Sequence, residues 1–344
     1  MSTEPKHIPF NIRIACFIEL GKSISSMSLE EIEILSRRAK YENAWFTEDS
    51  LKTALTSLID MLKNESLTNF ISAYPELNKE IKIKNIGVIM AGNIPGVGFH
   101  DALCVLLSGH ILQAKLSKSD SVVMKFLLEK IVEIEPGFRP FIQIVERMAN
   151  MEAVICTGSD NSARYFKSYF GKYPHIIRKN RTSVALLTGK ESVSDLEKLG
   201  FDIFTYFGLG CRNVTKVFVP EAYDITKLID TFEPWSFVIN QHKYANNYTY
   251  NRAIYLMNQD PFLDNNFLLL KESESLHSPI SVLYYERYSD QNKLVATLTE
   301  NAEKLQCVVT NVNFKNKVSF GLTQNPGLND FADGVDTMKF LLEL

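Results

Sequence analysis

The cysteine at position 211 stands where a nucleophile could work. Two glycines precede it in Gly208-Leu209-Gly210-Cys211, and β-branched residues alternate along residues 214–219 after it. Glycines leave no side chain beside the sulfur and permit backbone angles closed to other residues, so an acyl carbonyl could approach the thiol. Cys211 is therefore a candidate for covalent catalysis through a thiolate. The alternative is a small, buried and inert thiol, which is the commoner state of a single cysteine.

The chain around this cysteine predicts an α/β fold. Residues 11–77 have apolar positions at helical spacing and few glycines or prolines, which indicates an N-terminal helical layer. From residue 81 strand-like apolar runs alternate with helical patterns, which indicates βαβ units and a parallel sheet covered by helices. The predicted strands of this first lobe are 83–90, 111–116 and 153–157, and its predicted helices are 99–108, 119–134 and 161–170.

A second α/β pattern begins near Thr182, with strands predicted at 183–187, 214–219 and 279–285. No repeat or flexible linker separates the two patterns, so we expect two closely connected lobes. Ligands of parallel sheets bind beyond the carboxyl ends of the strands. Three loops of the first lobe follow strands in this way, and they are residues 92–98, 115–118 and 157–160.

Composition excludes several classes of function. The formal net charge is -3 and no block of like charges stands out, so nucleic acid and anionic membranes are not expected partners. No stretch has the length and apolarity of a membrane span, and residues 1–10 lack the pattern of a leader, so a cytoplasmic protein is expected. The five cysteines are widely spaced, which predicts neither disulfides nor a metal site.

The order of these loops resembles the aldehyde dehydrogenase superfamily. That order is an asparagine followed by X-Pro, a lysine ending the next strand, a Gly-Ser pair opening a helix, and then Gly-X-Gly-Cys. Residues 91–98 and Gly210-Cys211 resemble more narrowly its acyl-CoA reductase family, which includes the fatty-acid reductase subunit of bacterial luminescence. The resemblance implies a dinucleotide-binding lobe in residues 1–180 with 320–344 packing back on it, and a catalytic lobe in residues 181–319.

The resemblance also implies how an acyl group would be handled. Cys211 would attack a thioester carbonyl and form an acyl-enzyme while coenzyme A leaves. The side-chain amide of Asn93 and the backbone N–H of Cys211 would hold the oxyanion that forms. Asn93 also fits an ordinary turn, because asparagine is common before X-Pro.

By the same resemblance, NADPH would be the cofactor. Lys115 would reach the adenine ribose, and Lys118 stands where relatives that prefer NAD often carry a glutamate, so it would favour a 2′-phosphate. Gly158 and Ser159 would open a helix beneath the pyrophosphate. Glu274 is an approximate counterpart of the glutamate that holds the nicotinamide ribose. Alternatively, Lys118 belongs to a solvated loop and Glu274 to a charged one.

The sequence departs from the pattern of aldehyde-oxidising relatives. Residues 176–183 contain no carboxylate where those relatives carry the glutamate that activates water. We therefore expect chemistry without activated water, such as hydride transfer to the acyl-enzyme or its exchange with a thiol. The basic residues Arg178, Lys179 and Arg181 of this stretch are expected to lie in a solvated loop.

The sequence thus predicts NADPH-dependent reduction of a fatty acyl-CoA thioester to the aldehyde. Two alternatives stay open. One is a reductase of acyl phosphates or other acyl donors in the same superfamily, and the other is an acyl-transfer or complex subunit without reductase activity. The resemblance further implies a homo-oligomer and a partner enzyme that activates or transfers acyl groups.

Overall fold

The computed structural model describes residues 6–315 and 317–344, and these form two compact units. The first unit ends at Asn180 and resumes with Gly327–Leu344, and the second is Arg181–Pro326. The helices are α1 (Phe10–Ser25), α2 (Leu29–Glu42), α3 (Glu48–Met61), α4 (Asn64–Ile71), α5 (Phe99–Ser108), α6 (Ser121–Ile134), α7 (Asp160–Phe170), α8 (Val193–Phe204), α9 (Ile225–Thr231), α10 (His242–Asn258), α11 (Gln291–Glu300) and α12 (Thr337–Leu342). The strands are β1 (Asn85–Ile89), β2 (Ile111–Lys115), β3 (Ile142–Ile144), β4 (Ala153–Thr157), β5 (His175–Arg178), β6 (Thr182–Leu186), β7 (Val214–Pro220), β8 (Leu263–Asp264), β9 (Leu269–Glu272), β10 (Val282–Tyr288), β11 (Leu305–Val309) and β12 (Lys317–Val318).

The first unit contains a parallel five-stranded sheet in the order β3-β2-β1-β4-β5. The crossover β1-α5-β2 is a predicted βαβ unit, whereas the chain after α6 first forms the short strand β3, which was not predicted, and only then β4. Strand β1 is central, and its last residue Ile89 lies beside Lys115 of β2 and Cys156 of β4. The carboxyl ends of these three strands therefore meet at one edge of the sheet.

The N-terminal helices share their core with this sheet. Helix α1 packs against α3, α5 and α6, and α2 packs against α3 and α6. Helix α2 starts with a capping box, in which Ser28 and Glu31 bond each other's backbone N–H groups. Arg13 of α1 is buried and donates to the backbone carbonyl of Leu107 at the end of α5 and to that of Leu77 in the turn before β1. The predicted helical layer is confirmed.

The C-terminal segment is fastened to the first unit by buried polar contacts. Arg178 at the end of β5 forms two hydrogen bonds with the carboxylate of Asp101 in α5, at 2.5 and 2.9 Å. The same guanidinium donates to Thr337 Oγ1 at 2.9 Å. The expectation of a solvated basic loop was therefore wrong for Arg178, which is only 4% exposed because its charge is paired in the interior.

The second unit contains a seven-stranded sheet in the order β12-β11-β6-β7-β10-β9-β8. All neighbouring strands pair in parallel except β8 and β9, which are antiparallel at one edge. The unit continues past residue 319, because the carboxylate of Asp202 in α8 accepts the backbone N–H groups of Gly321 and Thr323. The two sheets with their covering helices confirm the predicted α/β class.

A membrane-crossing segment would need a long apolar helix. Across residues 6–315 and 317–344, no helix combines the length and the apolarity for such a crossing.

Candidate active site

The loop after β1 carries Asn93 and is held by buried polar groups beneath it. The backbone N–H of Gly96 donates to Asp120 Oδ2 at 3.0 Å, and Asn43 Nδ2 lies 3.5 Å from the carbonyl oxygen of Gly92. Gly96 has a φ of 70°, which a residue with a Cβ rarely adopts. The side chain of Asn93 itself is exposed. The loop therefore has a fixed base and an accessible asparagine amide.

The loop after β2 lies directly against this one. A Cβ on Gly92 would meet Ser117 Oγ at 2.4 Å, so only glycine allows the two loops to pack this closely. Lys115 at the end of β2 is half-buried and donates from Nζ to the carbonyl of Glu146 at 2.8 Å. Lys118 is exposed on the same loop. The loop thus presents a cation beside the Asn93 loop.

The loop after β4 leads into the N-terminus of α7. Ser159 is the N-cap residue, and its Oγ accepts the backbone N–H of Ser162 at 3.2 Å. A Cβ on Gly158 would lie 2.9 Å from the Cβ of Ser162, so the turn requires a small residue there. A helix N-terminus attracts anions through its free N–H groups and its dipole. The structure therefore gathers Asn93, Lys118 and the start of α7 at one sheet edge.

Cys211 differs from the other cysteines in exposure. All five cysteines lie in the described part of the chain, where none forms a disulfide, and Cys211 alone is not buried. Burial raises the pKa of Cys16 and of Cys156 to about 12, with Glu135 adding to the effect at Cys16. Cys104 is also buried, and burial raises its pKa well above the usual value. An accessible thiol is therefore found at position 211 only.

The backbone that leads into Cys211 is strained. Tyr206, Phe207, Gly208 and Gly210 have φ values of 56°, 59°, 83° and 99°. Positive φ is costly for residues with a large side chain. The side chains of both Tyr206 and Phe207 are buried. Such strain persists where the surrounding structure enforces it, and it concentrates at functional sites. Cys211 follows in a turn, and β7 begins shortly after it.

The loop that carries Glu274 is anchored to the first residues of β7. Lys216 Nζ donates to the backbone carbonyl of Glu274 at 2.9 Å, and Thr215 Oγ1 donates to that of Leu276 at 2.7 Å. The ammonium group of Lys216 is buried and paired with Glu286, and burial lowers its pKa. The side chain of Glu274 remains exposed. Within the second unit, β7 therefore connects the Cys211 turn and the Glu274 loop.

The sequence matches a known family over most of its length. Residues 14–228 fit the model of the family described as Acyl-CoA reductase (LuxC). The chain belongs to this family. The match includes Asn93, Lys115, Lys118, Ser159 and Cys211, and it confirms the resemblance drawn from the ordered loops. Comparison with curated protein sequences gives no match.

Solved structures show the fold of this acyl-CoA reductase family member. Aldehyde dehydrogenase 21 from Physcomitrella patens, in complex with the reaction product succinate, matches with a TM-score of 0.68 and 11% identity, over 98% of this chain and 84% of that one. The NADP-dependent glyceraldehyde-3-phosphate dehydrogenase from Bacillus halodurans, complexed with NADP, matches with a TM-score of 0.60 and 14% identity, over 90% and 75% of the two chains. The aldehyde-dehydrogenase-like fold predicted from the sequence is confirmed.

Three buried residues of this acyl-CoA reductase family member were not identified from the sequence. They are Asp120 under the Asn93 loop, Lys216 behind the Glu274 loop, and Ser183 of β6, whose hydroxyl donates to the backbone carbonyl of Cys211. Asp120 has a signal in the sequence, since an aspartate before a helical run reads as an N-cap. Its side chain nevertheless makes no capping bond to α6 and bonds the Asn93 loop instead.

Proposed function

We propose that this protein reduces a fatty acyl-CoA thioester to the aldehyde with NADPH, through an acyl-enzyme on Cys211. The observation that carries the proposal is the accessible thiol at the end of a strained Gly-X-Gly turn, in a chain of the acyl-CoA reductase family. The other four thiols are buried and cannot meet a bulky thioester.

The chemistry on Cys211 balances in two steps. The Cys211 thiolate attacks the thioester carbon, the bond to the coenzyme A sulfur breaks, and coenzyme A leaves as the thiol after protonation. If NADPH is held by Lys118 and the start of α7, it would supply a hydride to the carbonyl carbon of the enzyme thioester. Cys211 Sγ then leaves the resulting thiohemiacetal, which releases the aldehyde and restores the thiolate.

Stabilisation of the oxyanion is the role we propose for Asn93. An exposed carboxamide on a loop fixed from below can donate to a developing negative charge without reorganising. The backbone N–H of Cys211 would be the second donor. Loss of one donor of this kind costs about 100- to 1,000-fold in rate, so Asn93→Ala should reduce acylation by that factor, whereas Asn93→Asp adds a repelling charge and should reduce it further.

A dinucleotide suits the carboxyl edge of the first sheet. The N-terminus of α7 can bind a pyrophosphate through its backbone N–H groups and dipole, and the exposed Lys118 fits a phosphate on the ribose. Lys115 donates one of its three ammonium protons to the Glu146 carbonyl, and an ammonium group has further protons that can bond a ribose hydroxyl. Solved neighbours include an NADP-dependent dehydrogenase complexed with NADP.

The choice of NADPH over NADH is tested at Lys118. We expect a preference for NADPH in steady-state kinetics, and Lys118→Glu should reverse it because a carboxylate repels a 2′-phosphate and accepts ribose hydroxyls. Lys167→Glu is the matched control, since it changes an exposed lysine in the last turn of α7, away from the sheet edge. A wild-type preference for NADH would refute this part of the proposal.

Intact-mass measurement tests the acyl-enzyme directly. Wild-type protein mixed with acyl-CoAs of graded chain length should gain the mass of one acyl group, and Cys211→Ser should gain none. Addition of NADPH should remove the adduct and release a trappable aldehyde. Turnover with acyl phosphates alone would favour the broader acyl-donor reductase. An adduct that NADPH never discharges would favour an acyl-transfer subunit.

A further inference from the structure

Two strand irregularities meet at Ser183, the second residue of β6. The register between β6 and β7 shifts between Ser183 and Val184, so that β7 has one extra residue there. The register between β6 and β11 also shifts along this stretch, between Leu305 and Val308. Bulges interrupt the regular ladder of backbone hydrogen bonds and are frequent beside active sites.

The hydroxyl of Ser183 replaces ladder bonds at this point. Its Oγ accepts the backbone N–H of Cys307 in β11 at 3.1 Å and donates to the backbone carbonyl of Cys211 at 2.9 Å. A serine hydroxyl has one proton, and accepting from Cys307 directs that proton toward Cys211. The backbone N–H of Ser183 also donates to the carbonyl of Asn213 at 3.3 Å. Ser183 is fully buried, so this arrangement is shielded from water.

The Ser183 bond holds the carbonyl side of the Cys211 turn, and the residues before Cys211 include two glycines. Gly208 and Gly210 have positive φ values and carry no side chain that could hold the turn by packing. The peptide after Cys211 is held by Ser183, which restrains the rotation that aims the thiol and the preceding N–H. We propose that Ser183 is a positioning residue that orients Cys211 for attack on an acyl carbonyl. The inference rests on the proposed function of Cys211.

The chain contains a matched control for this role. Thr310 Oγ1 donates to the backbone carbonyl of Leu186 at 2.9 Å and accepts the backbone N–H of Val312 at 3.1 Å. It is buried and joins the end of β11 to the end of β6, as Ser183 joins these strands at their beginning. Thr310→Val therefore removes the same kind of bond from the same sheet, away from Cys211.

The test compares Ser183→Ala with Thr310→Val in three measurements. Both variants should lower the thermal midpoint by similar amounts, because each leaves one buried carbonyl without its donor. Acylation of Cys211 by acyl-CoA, followed by intact mass, should slow at least tenfold in Ser183→Ala and less than twofold in Thr310→Val. Alkylation by iodoacetamide, which requires only an accessible thiolate, should stay within twofold of wild type in both. If Ser183→Ala does not fold, Ser183→Cys, a weaker donor of similar volume, should still slow acylation severalfold.

The outcomes distinguish failure of the positioning role from failure of the proposed function. Equal acylation rates in wild type and Ser183→Ala would overturn the positioning role and leave Cys211 as the nucleophile. A parallel loss of alkylation and acylation would also overturn it, because Ser183 would then act on exposure or ionisation of the thiol. Absence of any acyl adduct on wild-type Cys211 would refute the proposed function and this inference together.

Discussion

The buried carboxyl group of Asp120 should make the first unit less stable as the pH rises. The side chain is fully buried beneath the Asn93 loop, and Oδ2 accepts the backbone N–H of Gly96. Burial raises the pKa of this carboxyl to about 8, and the nearby charge of Glu42 adds to the effect while the Gly96 bond opposes it. Asp120→Asn replaces the titrating group with a neutral one of the same shape.

The sign and size of the effect follow from proton linkage. Above the ordinary pKa of 3.8 the unfolded chain releases the Asp120 proton, whereas the folded protein keeps it up to about pH 8. Folded protein binds more protons in this window, so the free energy of unfolding falls as pH rises, by about 1.4 kcal/mol per pH unit. Between pH 5 and pH 7, Asp120→Asn should therefore gain about 3 kcal/mol relative to wild type. The gain should level off above pH 8.

The two tryptophans allow each unit to be followed separately. Trp45 lies in the first unit and Trp235 in the second, and the chain has no others. In a Trp235→Phe background, urea unfolding monitored by fluorescence reports on Trp45 and hence on the unit that contains Asp120. Glu31→Gln is the control in the same unit, because hydrogen bonds from Ser28 lower the pKa of Glu31 and confine its titration to acid pH. If the free energy of unfolding changed with pH in the same way in wild type and in Asp120→Asn, the reasoning would be refuted.

Three further changes have expected results. Gly208→Ala should lower the stability of the second unit by about 1–2 kcal/mol in urea unfolding followed by Trp235, because its φ of 83° disfavours a Cβ; an unchanged midpoint would contradict the strained turn. Asp101→Ala should cost the first unit about 3–5 kcal/mol in calorimetry, because it leaves the Arg178 charge buried and unpaired; a loss below 1 kcal/mol would speak against a buried charge. Lys216→Met should speed amide exchange across residues 273–278 at least tenfold, because Nζ no longer holds that loop; unaltered exchange would show another anchor.

Local sequence patterns predicted β1, β2, β4 and the helices α5, α6 and α7 of the first unit, but not its short strands β3 and β5. The predicted helix 99–108 and strand 153–157 have the bounds observed for α5 and β4. Both follow from apolar spacing between strong turn residues, which act over short distances along the chain. Helix α6 begins at Ser121 rather than at residue 119, because Asp120 turns away to bond the Asn93 loop. The start of α6 therefore depends on a contact between segments that are distant in sequence, which local patterns do not reveal.

The site was predictable where backbone geometry depends on glycine, and less so elsewhere. Gly-X-Gly before Cys211 indicated a special turn, and Gly208 and Gly210 do have positive φ. The same conformation at Tyr206 and Phe207 has no local signal, because aromatic residues normally avoid it. The buried pair of Arg178 with Asp101 joins residues far apart in sequence, so charge alone suggested a solvated loop. Which polar groups pair in the interior depends on tertiary packing.

The chain leaves the first unit after Asn180 and returns to it at Gly327. Arg178 and the buried imidazole of His110 therefore bond groups at Thr337 and Leu341 that the ribosome makes after the second unit. At the usual pace of synthesis, roughly 7 to 30 seconds pass while the intervening residues are added. During that interval a nascent first unit lacks the closing helix over α5, so its polar interior is open to chaperones and proteases before the second unit is complete.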